Sequence, residues 1–410
     1  MKKKTLKFVI AGHVDHGKST LIGRLLVDTN SLPPDKLEEV EKTSRELGRR
    51  VEFAYLLDHL QEEREQGVTI DTTQIFFKTD TREYVIIDAP GHVEFVKNMI
   101  TGASQAEAAL LIVDVERGVQ EQTKRHAYLL SLLGITRMAV LLNKMDLVEF
   151  KEERYQEVKK ETQKFLESLN LKPRCYIPIS AIDGDNVVTR SKHTSWYDGK
   201  TVLENLDLLE NAPSDEAKRF ILPVQDVYKT DKKRIVVGKI ATGRIKKGER
   251  IKVLPDGLET TVKTIEKFPG QVEEAISEES IGLTVSDSLF LERGQIVCSA
   301  GKEPKVSDRF RANLFWMAKS PLTTSERITL RCATQSVSCR VTIRQRIDSA
   351  TLEVMEENAG HLNNLEVGEV EIKTKKPLVI EKFSEISELG RFVLSRENNI
   401  CAGGIIIGTE

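Results

Sequence analysis

The string Gly12-His13-Val14-Asp15-His16-Gly17-Lys18-Ser19-Thr20 fits the phosphate-gripping spacing G-x-x-x-x-G-K-[ST]. Its glycines let the backbone turn so that successive N–H groups point inward at a β-phosphate. Lys18 is placed to reach the β- and γ-phosphates, and the Ser19 hydroxyl to ligate magnesium. Further along, Thr69 in Gly67-Val68-Thr69-Ile70 offers a second hydroxyl for the metal, Asp88 a carboxylate that can hold it through a water, and Gly91 an N–H that can approach a γ-phosphate closely. Asn143-Lys144-Met145-Asp146 adds base chemistry. The Asp146 carboxylate can accept the N1 and 2-amino donors of guanine in one bidentate contact. Adenine lacks that pair of donors, and a buried carboxylate left unpaired costs on the order of 1–3 kcal/mol. The Lys144 stem can lie over the purine face, Asn143 can bridge the phosphate loop to the base strand, and Ser180-Ala181 can supply a backbone N–H to the guanine carbonyl oxygen. The ligand that these residue types fit is GTP with Mg2+. The segments around Thr69 and Gly91 would then be tied to the γ-phosphate and loosen once it leaves.

Such groups work only if rigid elements hold them together, and the surrounding residues read as strands that end where the motifs begin. Leu6-Lys7-Phe8-Val9-Ile10 is an apolar run leading into the phosphate loop, with Thr20 to Leu26 opening a helix behind it. Tyr84-Val85-Ile86-Ile87 precedes Asp88, Met138-Ala139-Val140-Leu141-Leu142 precedes Asn143, and Cys175-Tyr176-Ile177-Pro178-Ile179 precedes Ser180. Functional groups at the carboxyl ends of buried strands are the pattern of an open, doubly wound α/β sheet. The helix behind the phosphate loop adds the positive end of its dipole.

The tract from His13 through Asp146 resembles the translation-factor class of GTPases, the family of elongation factor Tu, in which the phosphate loop reads GHVDHGK and a switch segment carries DxPGH, here Asp88-Ala89-Pro90-Gly91-His92. The resemblance implies that His92 is the catalytic residue that positions the attacking water. It places Asp15 where family members hold a monovalent cation against the phosphates, and Val14 and Val68 at an apolar gate that keeps the histidine from the water until a partner docks. Slow intrinsic hydrolysis, stimulated by a partner roughly 10³- to 10⁵-fold, follows from the same resemblance.

Two branches of the class share further features with this chain. The segment Asp35 to Glu65 carries apolar residues at helical spacing among charges. It is longer than in bacterial elongation factor Tu, and resembles both the archaeal and eukaryotic elongation factor and the GTPase subunit of heterodimeric sulfate adenylyltransferase. Gln66 before Gly67-Val68-Thr69-Ile70-Asp71, Thr101-Gly102-Ala103-Ser104, Gln122-Thr123-Lys124-Arg125-His126 through Ile135, and Asn313-Leu314-Phe315-Trp316-Met317-Ala318 are similar to the sulfate enzyme's subunit. His13, His16 and Ala89 are similar to translation factors instead. The third domain lacks the glycine-arginine tract and long final loop of elongation factors. The first branch implies a partner, a smaller ATP-using catalytic subunit that makes adenosine 5′-phosphosulfate from ATP and sulfate. The alternative implies aminoacyl-tRNA and the ribosome.

At 410 residues the chain is too long for one core, and three domains are expected: a GTP-binding domain over 1–212 with its switch regions, and β-barrels over 218–303 and 306–410. After the polar linker Asn211-Ala212-Pro213-Ser214-Asp215-Glu216 the helical pattern gives way to short alternating strands such as Ile235 to Ile245, with a second break at Gly301-Lys302-Glu303-Pro304. The expected fold is thus an α/β P-loop GTPase domain with a mostly parallel sheet, followed by two all-β barrels, each closing its own edges. Lysine plus arginine number 61 against 63 acidic residues, so no global basic field announces nucleic acid. Five cysteines without a C-x-x-C pair argue against a disulfide framework and a zinc site, and Cys332 and Cys339 read as small core residues. Phe315-Trp316-Met317 also reads as core. His13 and His16 have the spacing of a metal pair but line the phosphate loop. The basic start, Met1-Lys2-Lys3-Lys4, runs into the first strand rather than an export signal, and no run approaches the roughly 18 to 20 apolar residues of a membrane helix, so a cytoplasmic protein is expected. No second phosphate-binding loop follows, so no fused adenylylsulfate kinase is expected.

Overall fold

The computed structural model describes residues 5–32, 74–87, 106–209, 215–229 and 233–409, apart from 325, 350, 352 and 398. The chain divides into two compact units, Met1–Ala212 with Ser349–Thr351, and Pro213–Asp348 with Leu352–Glu410.

Six strands build the sheet of the first unit: β1 (Leu6–Gly12), β2 (Gln74–Lys78), β3 (Glu83–Ile87), β4 (Ala108–Asp114), β5 (Met138–Asn143) and β6 (Tyr176–Pro178), in the spatial order β2-β3-β1-β4-β5-β6. Strands β3, β1, β4, β5 and β6 run parallel, and only the edge strand β2 is antiparallel. Continuous apolar sequence fits this arrangement, because a parallel sheet is covered on both faces. All seven residues of β4 are buried, as are all six of β5. Helices α1 (Lys18–Asp28), α2 (Glu121–Leu132), α3 (Glu152–Ser168) and α4 (Val202–Leu208) accompany the sheet. Leu21, Ile22, Leu25 and Leu26 of α1 pack with Phe8, Ile10, Leu110 and Ile112 in one core. Their spacing of one, three and four gives α1 a single buried stripe. Thr201 and Glu204 close a capping box on α4. The helical pattern expected over Asp35 to Glu65 lies outside the described residues.

The described residues of the second unit form strands and loops apart from two single helical turns, Asp215–Ala217 and Ser387–Gly390. Strands Ile221–Pro223, Ile296–Ser299, Arg250–Leu254, Leu258–Lys267, Ser280–Val285 and Arg234–Lys239 pair in that order, and a bridge from Ile221 to Thr242 joins the last to the first. A second ring runs Arg327–Cys332, Arg391–Arg396, Asn399–Thr409, Lys305–Trp316, Val367–Ile380 and Gln335–Ile347, and pairing of Gln335–Ile347 with Arg327–Cys332 closes it. Closure leaves no free edge in that ring. Phe310, Leu314, Trp316 and Phe392 fill it, and the Trp316 Nε1–H donates to the Ser320 carbonyl at 2.9 Å, so the buried indole is satisfied. Phe315, Trp316 and Met317 are buried, as are Cys332 and Cys339. A smaller apolar cluster joins the two rings: Ile221, Leu254, Ile296 and Cys298 pack with Val379, Ile386 and Leu389.

Candidate guanine-nucleotide site

The phosphate loop is pinned from below by the neighbouring strand. Gly12 ends β1 opposite Ile112 of β4, and a Cβ on Gly12 would stand 2.4 Å from the Ile112 carbonyl oxygen. At Gly17, with φ +94°, a Cβ would stand 2.4 Å from Asn143 Nδ2. Both positions therefore require glycine for close approach. Gly17 caps α1 without a side-chain bond, which leaves the N–H groups of the first turn, those of Lys18, Ser19 and Thr20, at the mouth of the loop. The Lys18 ammonium folds back to donate to the Gly12 and His13 carbonyls at 2.9 Å each. Ser19 is exposed on the first turn of α1, with Thr20 half-buried beside it.

Histidines brace this loop. His16 is fully buried, stacks on His13 with ring centroids 5.1 Å apart, and sets Nδ1 between the Asp114 amide at 3.3 Å and the Ile112 carbonyl at 3.4 Å. Burial lowers its pKa from 6.5 to about 4, so the ring is neutral at pH 7. From α2, His126 Nδ1 accepts the Gly12 N–H at 3.1 Å, and Gln122 Oε1 accepts the Val14 N–H at 3.2 Å. Val14 and Asp15 are exposed, and Asp15 holds a left-handed φ of 65°.

Asn143, 2% exposed, spans the two halves of the site. Its Nδ2 donates to the His16 carbonyl at 2.8 Å and its Oδ1 accepts the Ala181 N–H at 2.9 Å. One of the two amides that the sequence offers to the guanine carbonyl, that of Ala181, is therefore engaged by Asn143 in this structure. Asp146 is half-buried and accepts the Ser180 hydroxyl at 2.8 Å. The same hydroxyl contacts Asp183 Oδ2 at 3.2 Å and takes the Asp183 N–H at 3.3 Å. Lys144 has a left-handed backbone, φ 68° and ψ 36°, and its ammonium meets Asp114 Oδ2 at 2.7 Å.

Gly12, His13, Val14, Asp15, His16, Gly17, Lys18, Asn143, Lys144, Asp146, Ser180 and Ala181 thus lie in one network with the start of α1 at the carboxyl edge of the sheet. Thr69, Asp88, Gly91, His92 and the gate residue Val68 lie outside the described residues. Sequence reasoning passed over His126, Gln122, Asp114 and the role of the Ser180 hydroxyl. Asp114 had a signal: it ends an apolar strand, as Asn143 does. His126 and Gln122 sit on a helix, and nothing in their spacing marks contact with a loop more than 100 residues earlier. Among the described residues no group of three or more His, Cys, Asp and Glu could hold a metal ion, and the His13 and His16 rings stack on one another within the phosphate loop. A cleft of about 450 Å³ lined by Arg137, Lys172, Arg174 and Leu208 opens at the amino-terminal end of β5, the wrong edge for strand-end chemistry.

The first unit's sequence matches the elongation factor Tu GTP binding domain over residues 3–218. The chain belongs to the elongation factor Tu family of GTPases. Residues 309–407 match the C-terminal domain of the elongation factor 1-alpha type. Among curated relatives in this family, sulfate adenylyltransferase subunit 1 of Teredinibacter turnerae is 39% identical over 98% of this chain and 87% of its own length. Sulfate adenylyltransferase subunit 1 of Bacteroides fragilis is 38% identical over 99% of this chain and 86% of its own length. Elongation factor 1-alpha of Methanopyrus kandleri is 40% identical over all of this chain and 99% of its own length. Family members bind GTP and GDP, generally with magnesium. No helix among the described residues is long and apolar enough to cross a membrane.

Proposed function

We propose that this chain binds GTP with magnesium and hydrolyses it as the regulatory GTPase subunit of a sulfate adenylyltransferase, driving a separate ATP-using subunit to make adenosine 5′-phosphosulfate. The observation that carries the nucleotide assignment is the Asp146 carboxylate steadied by the Ser180 hydroxyl at 2.8 Å and joined through Asn143 to the phosphate loop. A carboxylate so held presents one bidentate acceptor to the N1 and 2-amino donors of guanine. Lys18 would leave the Gly12 and His13 carbonyls for phosphate oxygens of higher charge, and the loop amides would receive the β-phosphate. Ser19, exposed on the first turn of α1, would hold magnesium together with Thr69 and Asp88. The ion neutralises phosphate charge when bound. His92 would orient water for attack on the γ-phosphorus, breaking the bond to the β–γ bridging oxygen and releasing phosphate and GDP. Asp15 would hold a monovalent cation. The residues assigned to the nucleotide are Gly12, His13, Val14, Asp15, His16, Gly17, Lys18, Ser19, Thr20, Asp88, Gly91, Asn143, Lys144, Asp146, Ser180 and Ala181.

The sulfate branch is favoured by Gln66, by the tracts beginning at Thr101 and Asn313, and by two sulfate adenylyltransferase relatives at 38–39% identity along nearly the whole chain. A second reading, delivery of aminoacyl-tRNA to the ribosome, is favoured by the Methanopyrus elongation factor at 40% identity and by His13, His16 and Ala89. Affinity capture from the source lysate, with and without a non-hydrolysable GTP analogue, separates them. Recovery of a smaller subunit that forms adenosine 5′-phosphosulfate only with GTP present establishes the first. Transfer RNA recovered in the GTP-like state, without that subunit, replaces it with the second. Asp146→Asn should shift preference from guanosine to xanthosine triphosphate in competition. Unchanged preference would remove Asp146 from base recognition.

A further inference from the structure

The Lys144 ammonium does not project freely: it is held by a carboxylate that no nucleotide motif contains. We infer that Asp114 is a positioning residue for guanine binding, a buried clamp that orients the Lys144 stem against the purine through their 2.7 Å ion pair. The inference rests on the nucleotide reading above and extends it to a residue on a different strand.

The carboxylate is built for the purpose. Asp114 ends β4 fully buried, directly across from Asn143 in the parallel pairing with β5, one residue before Lys144. Its Oδ1 accepts the Glu116 N–H at 2.9 Å and the Arg117 N–H at 3.4 Å, while Oδ2 takes no hydrogen bond beyond the ion pair among the described residues. Its backbone is fixed as well. The Asp114 carbonyl accepts the Gly118 N–H at 2.8 Å, and Arg154 from α3 donates to the Val115 and Glu116 carbonyls at 2.9 Å each. Burial raises the Asp114 pKa, but Lys144 and the two amides more than offset this, so the carboxyl sits below its ordinary value and is ionised at pH 7. A lysine side chain loses considerable rotamer entropy when it is immobilised. With its ammonium anchored and its backbone left-handed, Lys144 has lost much of that freedom before a base arrives. A charge that is wholly buried on one partner and only 26% exposed on the other is not a surface pair of negligible worth.

The test follows release of a fluorescent N-methylanthraniloyl GDP from the full chain. Asp114→Asn keeps the Oδ1 bonds to Glu116 and Arg117 but removes the charge, and about tenfold faster release is expected. KM for intrinsic GTP hydrolysis should rise similarly with kcat unchanged within about twofold, since the γ-phosphate chemistry lies at the other end of the nucleotide. Lys144→Met keeps the stem and removes the ammonium from the more exposed side, where folding is less at risk, and should match Asp114→Asn. In the Asp114→Asn, Lys144→Ala double variant, release should be no faster than in Lys144→Ala alone. Release at the parent rate in Lys144→Met, or a double variant in which the two effects multiply, overturns the clamp. Loss of binding in Lys144→Ala alongside normal binding in Lys144→Met overturns the clamp and leaves the nucleotide reading intact; normal binding in Lys144→Ala overturns the clamp as well, whereas a parent chain that fails to bind the probe removes the nucleotide reading itself.

Discussion

In the first unit, buried polar groups gather at the ends of β1, β4 and β5 and bond to one another's loops, with capacity left over. Among the described residues His16, fully buried, finds no partner for Nε2, and Asp114 keeps an oxygen engaged only by an ion pair. In the second unit, charge lies mostly outside closed apolar rings and pairs locally: Lys233 with Glu266 at 2.8 Å, Lys239 with Glu278 at 2.6 Å, Arg344 with Glu371 at 2.5 Å. Such exposed pairs contribute little stability each. Buried polar atoms with spare capacity occur in both units, Ser277 and Ser395 of the second among them, but those of His16 and Asp114 stand beside the phosphate-loop and base motifs. The same substitution chemistry should therefore register as lost affinity in the first unit and lost stability in the second.

The largest effect should come from Lys18→Ala. Its ammonium donates to the Gly12 and His13 carbonyls of its own loop at 2.9 Å each. Affinity for GTP should fall by roughly 100-fold or more, since losing one charged partner of a desolvated pair costs about 2–5 kcal/mol. Titration calorimetry with a non-hydrolysable GTP analogue measures it, and parent-like affinity would remove Lys18 from phosphate binding.

Glu381→Ala probes the opposite case. The Glu381 carboxylate, 4% exposed, pairs with Arg219, whose guanidinium also donates to the Glu303 carbonyl at 3.1 Å. Removing one member of a buried pair costs about 3–5 kcal/mol. A lowered denaturation midpoint with unchanged GDP affinity is expected, and an equal loss of both would collapse the distinction between the units.

A third prediction concerns pH. The folded pKa of His16, about 4, lies below its unfolded value of 6.5, mainly through burial. Between these values the unfolded chain binds the extra proton, so His16 contributes stability that is complete above pH 6.5 and is lost as pH falls toward 4, up to about 3 kcal/mol. Asp114, His13 and Lys144 are the charged or titratable neighbours that shape this. Denaturation of the parent and His16→Asn should diverge in slope over that window. Identical slopes would place the acid sensitivity elsewhere.

These contrasts also show what could be read from the chain alone. Strand-end motifs were legible because periodic apolar runs stop where chemistry begins: β1, β3 and β5 were visible in Leu6 to Ile10, Tyr84 to Ile87 and Met138 to Leu142. The β-rich character of the second unit was legible from alternation and turn residues. Strand order in the rings was not, because Arg327–Cys332 pairs both with its neighbour Gln335–Ile347 and with Arg391–Arg396, some 60 residues on. Packing decides that pairing, not local pattern. His126 against Gly12 was hidden for the same reason. The ion pair of Asp114 with Lys144 was nearer to hand: both stand at the ends of adjacent apolar strands, and register alone brings them together.

The finest discrimination uses two bonds of the same kind and nearly the same length. Ser180 donates its hydroxyl to Asp146 at 2.8 Å in the first unit, and Thr260 donates its hydroxyl to Asp287 at 2.7 Å in the second. Ser180 is fully buried and Thr260 is 6% exposed, so desolvation is comparable. A hydroxyl–carboxylate bond contributes about 1–2 kcal/mol net. Thr260→Val should lower the unfolding free energy by that amount and leave GDP affinity unchanged, because Asp287 has no assigned ligand. Ser180→Ala should weaken GDP about fivefold at similar stability, because the bond it removes fixes the direction of Asp146 rather than holding the sheet together, and a misdirected carboxylate forfeits part of the bidentate contact. If Ser180→Ala proved as destabilising as Thr260→Val with affinity intact, the Ser180 hydroxyl would belong to the scaffold, and Asp146 would have to be oriented by the base alone.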